Sequence, residues 1–330
     1  MPRLFIPIGS GIIDMRIKKI VKLLDYVFVL RPTLFFPVWT VYAAGYFAFH
    51  RFAPGGMNGA TTGMAGESLT LLLSLSLLMG AAFILNQLCD IATDAQNHKL
   101  FLIAHRHISP NAARLQTILL SGAGLLIAFY YSHDIGLLFL AIFLLTGILY
   151  SVAPFQWKDR PFLGLLSNAG GALLIFSAGW WSVETGLGMP IRHALPYMLA
   201  VGAVYLYTTL LDLDGDARTQ KLTFGVKYGW RPTIIAGCAC EIAATGIAFY
   251  VNDPVIFYPA LISAPFFLLA AIKQTRNDVS RAIKLPILFL ALAICLKVWQ
   301  YVLVLAFVFY FSKWYYRERF GLKYPSLQAD

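Results

Sequence analysis

The sequence predicts an all-α membrane protein, a bundle of about nine transmembrane helices. Of its 330 residues, 59% are hydrophobic and only 13% are charged, whereas about 25% of the residues of a soluble domain are charged. The apolar residues form runs near the length of about 20 residues that crosses a bilayer as a helix. Short connections favour antiparallel neighbours in one bundle. We therefore expect a single transmembrane domain over residues 1–330.

The apolar runs are separated by polar or glycine-rich connections. The predicted spans are residues 33–49, 69–89, 115–131, 135–151, 162–183, 194–211, 232–251, 255–272 and 285–311. The last run is long, but a second crossing within it would be cramped. We therefore expect it to cross once.

Lysine and arginine alternate between the loops. They are frequent in the N-terminal tail and after the second, fourth, sixth and eighth spans, and scarce in the intervening loops. Cytoplasmic loops carry such an excess, so we expect these loops in the cytoplasm. The same pattern accounts for the net charge of +10, and no nucleic-acid partner is expected. Nine spans leave the basic C-terminus on the opposite side, which conflicts with the charge rule.

Two stretches place oxygen-bearing side chains at every fourth residue, each stretch at the end of an apolar run. They contain Asn86, Asp90 and Asp94, and Thr208, Asp212 and Asp216. On a helix, this spacing puts the three side chains on nearly one face, about 6 Å apart along the axis. Carboxylates at the end of a membrane helix are costly and indicate a functional site.

Clustered carboxylates on two helices suit a hard cation such as Mg²⁺, which is often shared between protein carboxylates and substrate phosphates. Neighbouring cations suit the remaining phosphate oxygens: Lys99, Lys158, Arg160, Arg218 and Lys221. Metal and cations together stabilise a diphosphate as it leaves. With an apolar groove in the bundle, these features indicate a lipid diphosphate whose C–O bond is broken, and the active site is expected to face the cytoplasm.

A membrane transporter or ion-coupled carrier is the alternative, because intramembrane aspartates also relay protons and ions. Lys297, inside the last predicted span, fits this alternative better than it fits an enzyme. Transporters often place such charges near the midplane, on broken helices. The aspartates here lie at span ends on one side, which favours the enzyme.

Four segments resemble motifs of the UbiA superfamily of membrane prenyltransferases. NQLCDIATDAQNHK (86–99) is similar to the motif NxxxDxxxD, and DLDGDARTQKLTFGVKYG (212–229) is similar to DxxGDxxxGKxTxxVxxG. LYSVAPFQWKDRP (149–161) resembles YSxPPxRxKxRP, and LRPTLFFPVW (30–39) resembles RPxxxxxP. The four segments occur in the order that the family has them, over most of the chain.

The resemblance implies a central cavity capped by cytoplasmic motif loops, with Mg²⁺ bridging the two acidic motifs and an isoprenoid diphosphate. The implied metal ligands are Asn86, Asp90, Asp94, Asp212 and Asp216. The implied diphosphate or active-site contacts are Arg31, Tyr150, Lys158 and Lys221. Loss of diphosphate would leave an allylic cation, which a carbon of a hydrophobic acceptor attacks.

Two positions depart from the family pattern and bear on the acceptor. Gln156 replaces the usual arginine of the third motif, and Thr209 replaces an acidic residue that often precedes the second acidic motif. These departures argue against an aromatic carboxylate as acceptor. A quinone-precursor ring, a carotenoid, a chlorin and other lipids all remain open.

Overall fold

The computed structural model describes residues 21–54, 63–96, 101–186, 188–322 and 324–325, and every regular element in them is helical. The helices are α1 (Asp25–Phe28), α2 (Phe35–Phe52), α3 (Gly66–Cys89), α4 (Ile91–Gln96), α5 (Phe101–Ala104), α6 (Pro110–Tyr131), α7 (His133–Phe143), α8 (Pro161–Trp181), α9 (Ile191–Leu211), α10 (Leu213–Arg218), α11 (Phe224–Tyr228), α12 (Trp230–Tyr250), α13 (Pro254–Lys273), α14 (Arg276–Cys295) and α15 (Gln300–Phe320). A π-helical segment, Leu144–Leu149, extends α7. Single 3-10 turns, Pro32–Leu34 and Trp157–Asp159, precede α2 and α8.

Seven helical segments of the described chain are long and apolar enough to cross a bilayer. They are Val21–Phe52, Gly66–Cys89, Pro110–Tyr131, Pro161–Trp181, Ile191–Leu211, Trp230–Tyr250 and Pro254–Lys273. His133–Leu149 is apolar but shorter. The prediction of an all-α membrane protein is confirmed.

Polar side chains set the beginnings of several helices. Ser109, Ser132, Asp253 and Thr275 precede α6, α7, α13 and α14, and each accepts a hydrogen bond from a backbone N–H of the first turn. Such a cap satisfies a donor that the helix itself leaves unpaired. Ser132 therefore ends one membrane helix and begins the next within a single residue.

The prediction of one span over residues 285–311 is wrong. Helix α14 ends at Cys295 and α15 begins at Gln300. In the four-residue connection, the carbonyl of Lys297 accepts a hydrogen bond from the amide of Gly63 at 3.1 Å. Since Gly63 lies just before α3, this connection is at the end of the bundle opposite Asp90. The chain turns there, and α15 runs back towards the acidic stretches.

Asp25 joins the end of α15 to α1. Its carboxylate is 1% exposed and accepts two hydrogen bonds from Arg319, both 3.0 Å, and one from Tyr315 at 2.7 Å. Phe28 stacks on Tyr315, with ring centroids 3.7 Å apart. The basic C-terminal end therefore lies at the same end of the bundle as residues 25–31. The extra helix removes the conflict with the charge rule.

The long helices close into a ring. Successive contacts run from α2 through α3, α6, α7, α8, α9, α12 and α13 to α14, which returns to α2. Helices α2 and α8 also cross closely. A Cβ atom at Gly45 would collide with the carbonyl of Phe176, and one at Gly179 with the carbonyl of Tyr42. Small residues allow membrane helices to approach this closely and gain van der Waals contact.

Candidate active site

The first acidic stretch bends at its middle residue. Helix α3 ends at Cys89, and Asp90 follows with φ −104° and ψ 11°, in the sparsely populated bridge region where many active-site residues lie. The amide of Asp90 still donates to the carbonyl of Asn86 at 3.1 Å, and that of Asp94 to the carbonyl of Asp90 at 2.8 Å. The period of four residues is therefore kept across two helices, where the sequence predicted one.

The second stretch repeats this geometry. Helix α9 ends at Leu211, and Asp212 follows with φ −92° and ψ 0°. The amide of Asp212 donates to the carbonyl of Thr208 at 3.2 Å, and that of Asp216 to the carbonyl of Asp212 at 2.8 Å. Each membrane helix thus delivers one aspartate at its end and a second aspartate on the short helix that follows.

Both stretches meet at one end of a cavity of about 500 Å³. The polar residues around this end are Arg31, Asn86, Asp90, Tyr150, Lys158, Asp159, Asn168, Thr208, Thr209, Asp212, Asp216, Lys221 and Thr223. The remaining wall is mainly aliphatic and includes Leu34, Pro37, Val38, Val41, Met79, Ala82, Ile175 and Val201. One cavity therefore offers a charged end and an apolar body.

Asp90 holds two lysines at the charged end. Its Oδ2 lies 2.6 Å from Nζ of Lys158, and its Oδ1 lies 3.4 Å from Nζ of Lys221. The three side chains are 13%, 7% and 18% exposed. Burial alone would lower the pKa of Lys221, but Asp90, Asp159 and Asp216 outweigh it and raise that pKa. Lys221 therefore stays cationic beside the acidic stretches.

The charges at this end do not cancel. Four carboxylates and three Lys or Arg side chains line the cavity. Asp94 is 8% exposed beside them, and its Oδ2 has no hydrogen-bond partner in the described part of the chain. Burial and the neighbouring charge of Asp90 raise the pKa of Asp94 to about 7, against the opposing effect of Lys221, Arg31 and Lys158. An added cation would relieve this excess of negative charge.

The oxygen donors fit a shared divalent cation better than a fully enclosed one. No group of three or more His, Cys, Asp or Glu side chains among the described residues is close enough to hold a metal by itself. Asn86 uses its amide nitrogen to bond Ser151 Oγ at 3.1 Å, so its amide oxygen is not used in that bond. Mg²⁺ commonly completes its shell with waters and substrate phosphates.

Arg31 enters the cavity from the turn before α2. Its backbone has φ 55° and ψ 65°, a left-handed conformation that is uncommon outside glycine and often marks functional sites. Pro32 follows, and its ring fixes the first φ of the next turn. Tyr150 lines the same cavity from the end of the π-helical segment after α7.

The segment before α8 carries three consecutive charged residues, 158–160, and they do not all reach the cavity. Gln156 has φ 40°, and the turn that follows directs Lys158 and Asp159 to the cavity. Arg160, expected from the sequence to bind diphosphate, is exposed and bonds the carbonyl of Pro154 at 3.4 Å. Asp159 was not among the predicted site residues. Burial raises its pKa, and the lysines at 158 and 221 oppose that rise.

A sequence model of the UbiA prenyltransferase family matches residues 38–293. The chain belongs to this family. The match begins inside α2 and ends inside α14, so it includes both acidic stretches and the segment that carries Lys158.

Relatives of known structure or activity agree with this membership. The chain is 28% identical over 178 residues to a chloroplastic 2-acyl-4-prenylphloroglucinol 6-prenyltransferase from Humulus lupulus. The matched region covers 50% of this chain but only 43% of that relative. A UbiA homolog from Archaeoglobus fulgidus bound to DMAPP and Mg²⁺ shares the fold, with TM-score 0.64 and 19% identity over 83% of this chain and 99% of that one. An apo UbiA homolog from Aeropyrum pernix K1 has TM-score 0.62 and 14% identity, covering 79% and 97%.

Proposed function

We propose that the protein transfers an isoprenoid group from its diphosphate to a hydrophobic acceptor within the membrane, in a Mg²⁺-dependent reaction. The observation that carries this proposal is the shared cavity. Aspartates from both acidic stretches and three cationic side chains line one end of it, and aliphatic residues line the rest. A charged head group and a lipid tail fit these two parts.

The diphosphate is expected at the charged end. Lys158 and Lys221 lie on opposite oxygens of Asp90, and Arg31 lines the same end. When phosphate oxygens approach, these donors have a second, more highly charged acceptor to bond. Charge-assisted hydrogen bonds of this kind are about twice as strong as neutral ones.

Asn86, Asp90, Asp94, Asp212 and Asp216 are the proposed metal ligands. Bound Mg²⁺ would neutralise the diphosphate and favour its departure as a leaving group. A relative of the same fold supports a role for Mg²⁺, since the Archaeoglobus homologue is bound to DMAPP and Mg²⁺. The aspartates alone would repel a diphosphate, so we expect Mg²⁺ and the diphosphate each to strengthen binding of the other.

The apolar part of the cavity protects the reaction from water. Departure of diphosphate leaves an allylic cation, which water would consume before an acceptor reached it. Aromatic faces can stabilise such a cation, and Tyr150 and Tyr205 line the cavity. An acceptor carbon then forms the new bond to the allylic carbon and the acceptor releases a proton, while the diphosphate keeps the electron pair of the broken C–O bond. The acceptor is a hydrophobic molecule, such as a quinone-precursor ring, a carotenoid, a chlorin or another lipid.

The charge distribution supports a cytoplasmic active site. Most basic residues of α14 and α15 lie at the end of the bundle that carries the aspartates, and cytoplasmic ends are enriched in such residues. Single cysteines can test this orientation in a variant without the four native ones. An impermeant maleimide should label Arg281→Cys only from the cytoplasmic face and Glu184→Cys only from the other face. The reverse pattern would contradict the assignment.

The transporter alternative loses its main support. Lys297 was the charge that best fitted a carrier, because it was predicted inside a span. The structure places it in the connection between α14 and α15, where a charge does not indicate a transport pathway.

The direct test of function is product formation. Purified protein in lipid is incubated with labelled geranylgeranyl diphosphate, Mg²⁺ and an extract of lipids and quinone precursors, with and without EDTA, and products are identified by mass spectrometry. A Mg²⁺-dependent mass gain of one prenyl unit is expected, and the labelled molecule identifies the acceptor. Transfer that is unaffected by EDTA would contradict the proposed metal dependence.

A further inference from the structure

A second chamber of about 220 Å³ adjoins the main cavity. It lies among α2, α9, α12, α13 and α14. Asn168, Val201, Tyr205 and Thr208 line both spaces, so these side chains form the boundary that the two share. Its walls are mainly aliphatic, with residues such as Ile256, Ala260, Ile287 and Leu290.

Two polar side chains of these walls do not line the main cavity and have no described hydrogen-bond partner for their side-chain oxygens. Glu241 of α12 is 1% exposed, and neither of its carboxyl oxygens has a hydrogen-bond partner in the described part of the chain. Ser263 of α13 is 0% exposed, and its Oγ is also without a described partner. By contrast, Thr40 and Tyr197 line the chamber but donate their hydroxyls to Phe36 O and to Asp253.

An unpartnered carboxyl group in the middle of a membrane helix is expensive and usually marks a functional site. A buried polar group without a partner has lost its hydration and gained no hydrogen bond in exchange. Glu241 has no role at the diphosphate end, because it does not line the cavity that contains the aspartates. A ligand that occupies the chamber and bonds to Glu241 would offset this penalty.

The position of Glu241 along the bundle limits what that ligand is. Helix α12 begins at Trp230 at the end of the bundle that carries the acidic stretches, so Glu241 lies roughly 16 Å from that end at 1.5 Å per residue. Tyr205, at the junction of the two spaces, lies roughly 10 Å from the same end. A molecule with its reacting carbon near Tyr205 would reach Glu241 with a polar group about a ring's width away.

We propose that this chamber binds the acceptor and that Glu241 and Ser263 recognise a hydroxyl group on it, placed away from the carbon that is prenylated. This inference rests on the proposed function. A hydroxyl both donates and accepts, as the pairing of a carboxyl group with a serine requires. The isoprenoid tail of the donor is entirely apolar and would leave both side chains unpaired, so it is the poorer occupant.

The test uses matched probes that do not depend on transfer. Equilibrium dialysis against protein in lipid nanodiscs, with empty nanodiscs subtracted, measures binding of 2-naphthol and of its methyl ether. The ether cannot donate a hydrogen bond. Wild type is expected to bind the naphthol about tenfold more tightly, since one hydrogen bond to a buried group contributes about 1.4 kcal/mol.

The variants separate recognition from packing. Glu241→Leu should reduce the tenfold preference to about twofold or less, and Glu241→Gln and Ser263→Ala should reduce it in part. Ser280→Ala is the control, because Ser280 is also buried and without a described partner but does not line the chamber. Replacing an unpaired buried carboxyl with leucine is not expected to unfold the protein.

Mg²⁺-dependent binding of geranyl diphosphate is measured in the same proteins and should be unchanged in all four variants. An unchanged naphthol preference in Glu241→Leu would overturn the chamber assignment while leaving the proposed transfer intact. Failure of wild type to bind geranyl diphosphate, with the preference intact, would overturn the transfer reaction but not the chamber. Tighter binding of 2-(aminomethyl)naphthalene than of 2-naphthol, lost in Glu241→Gln, would replace hydroxyl recognition by cation recognition.

Discussion

Substitution of Lys158 by methionine should change metal binding and diphosphate binding in opposite directions. Nζ of Lys158 lies 2.6 Å from Asp90, and both side chains are largely buried. Unit charges at that distance attract by about 6 kcal/mol at an effective dielectric constant of 20, but desolvation offsets most of this. A hydrogen bond to a charged group contributes about 1.5–3 kcal/mol net, so diphosphate should bind roughly 10- to 150-fold more weakly.

Binding of Mg²⁺ without substrate should instead become tighter in Lys158→Met. The substitution removes a cation that competes for Asp90, and among the described residues only Lys221, at 3.4 Å, remains on that carboxylate. Isothermal titration gives the Mg²⁺ affinity, and a second titration with geranyl diphosphate at saturating Mg²⁺ gives the diphosphate affinity. Lys227→Met is the matched control, since Lys227 is exposed and lies over the ring of Tyr228. Weaker Mg²⁺ binding in Lys158→Met would refute the reasoning.

Two further predictions concern the bundle. Gly45→Ala should lower stability by about 1–3 kcal/mol, because its Cβ meets a backbone carbonyl of α8, whereas Gly246→Ala, with open space around it, should keep or raise the thermal unfolding temperature. Arg319→Met should cost about 3–5 kcal/mol, because it leaves Asp25 buried and without its cation. Arg317→Met removes an exposed pair and should cost less than about 1 kcal/mol.

Thermal unfolding in detergent, followed by size-exclusion chromatography, measures all four variants. Equal losses for Gly45→Ala and Gly246→Ala would show that close approach of α2 and α8 does not stabilise the bundle. Equal losses of stability in the two arginine variants would show that the buried pair of Arg319 and Asp25 stabilises the protein no more than an exposed pair does.

The acidic stretches were predictable from the sequence because their signal is local. A period of four residues at the end of an apolar run fixes which residues share a face. The structure brings Asn86, Asp90, Asp212 and Asp216 to one cavity. Their roles as metal ligands stay predictions. The bend at each middle aspartate could not be predicted from the spacing. The hydrogen bonds from each amide to the carbonyl four residues earlier continue across the bend, so the period of four is unchanged.

The turn between α14 and α15 had no local signal. Residues 296–299 read Leu-Lys-Val-Trp, without the glycine or proline that commonly marks a break. A contact distant in sequence, from the amide of Gly63 to the carbonyl of Lys297, accompanies the turn. Apolar continuity therefore predicted one helix where tertiary structure has two.

The side chains around Lys158 show a second limit. Charge alone favoured Arg160 as a phosphate contact and gave no role to Asp159. The structure shows the opposite arrangement. Gln156 has a left-handed conformation, and the turn after it places Asp159 on the cavity and Arg160 at the surface. Glu241 did carry a sequence signal, because a carboxyl group within an apolar span is rare without a function.

We propose that aspartates of both acidic stretches hold a diphosphate through Mg²⁺ in one cavity. This arrangement is tested by Mg²⁺-dependent binding of geranyl diphosphate to wild type and to Asp90→Asn, Asp212→Asn and Asp214→Asn. Asp214 lies on the same short helix as Asp216 but is 66% exposed and pairs with Arg276. We expect at least tenfold weaker binding for the first two variants and wild-type binding for Asp214→Asn. Equal binding by all four proteins, or binding unaffected by EDTA, would contradict it.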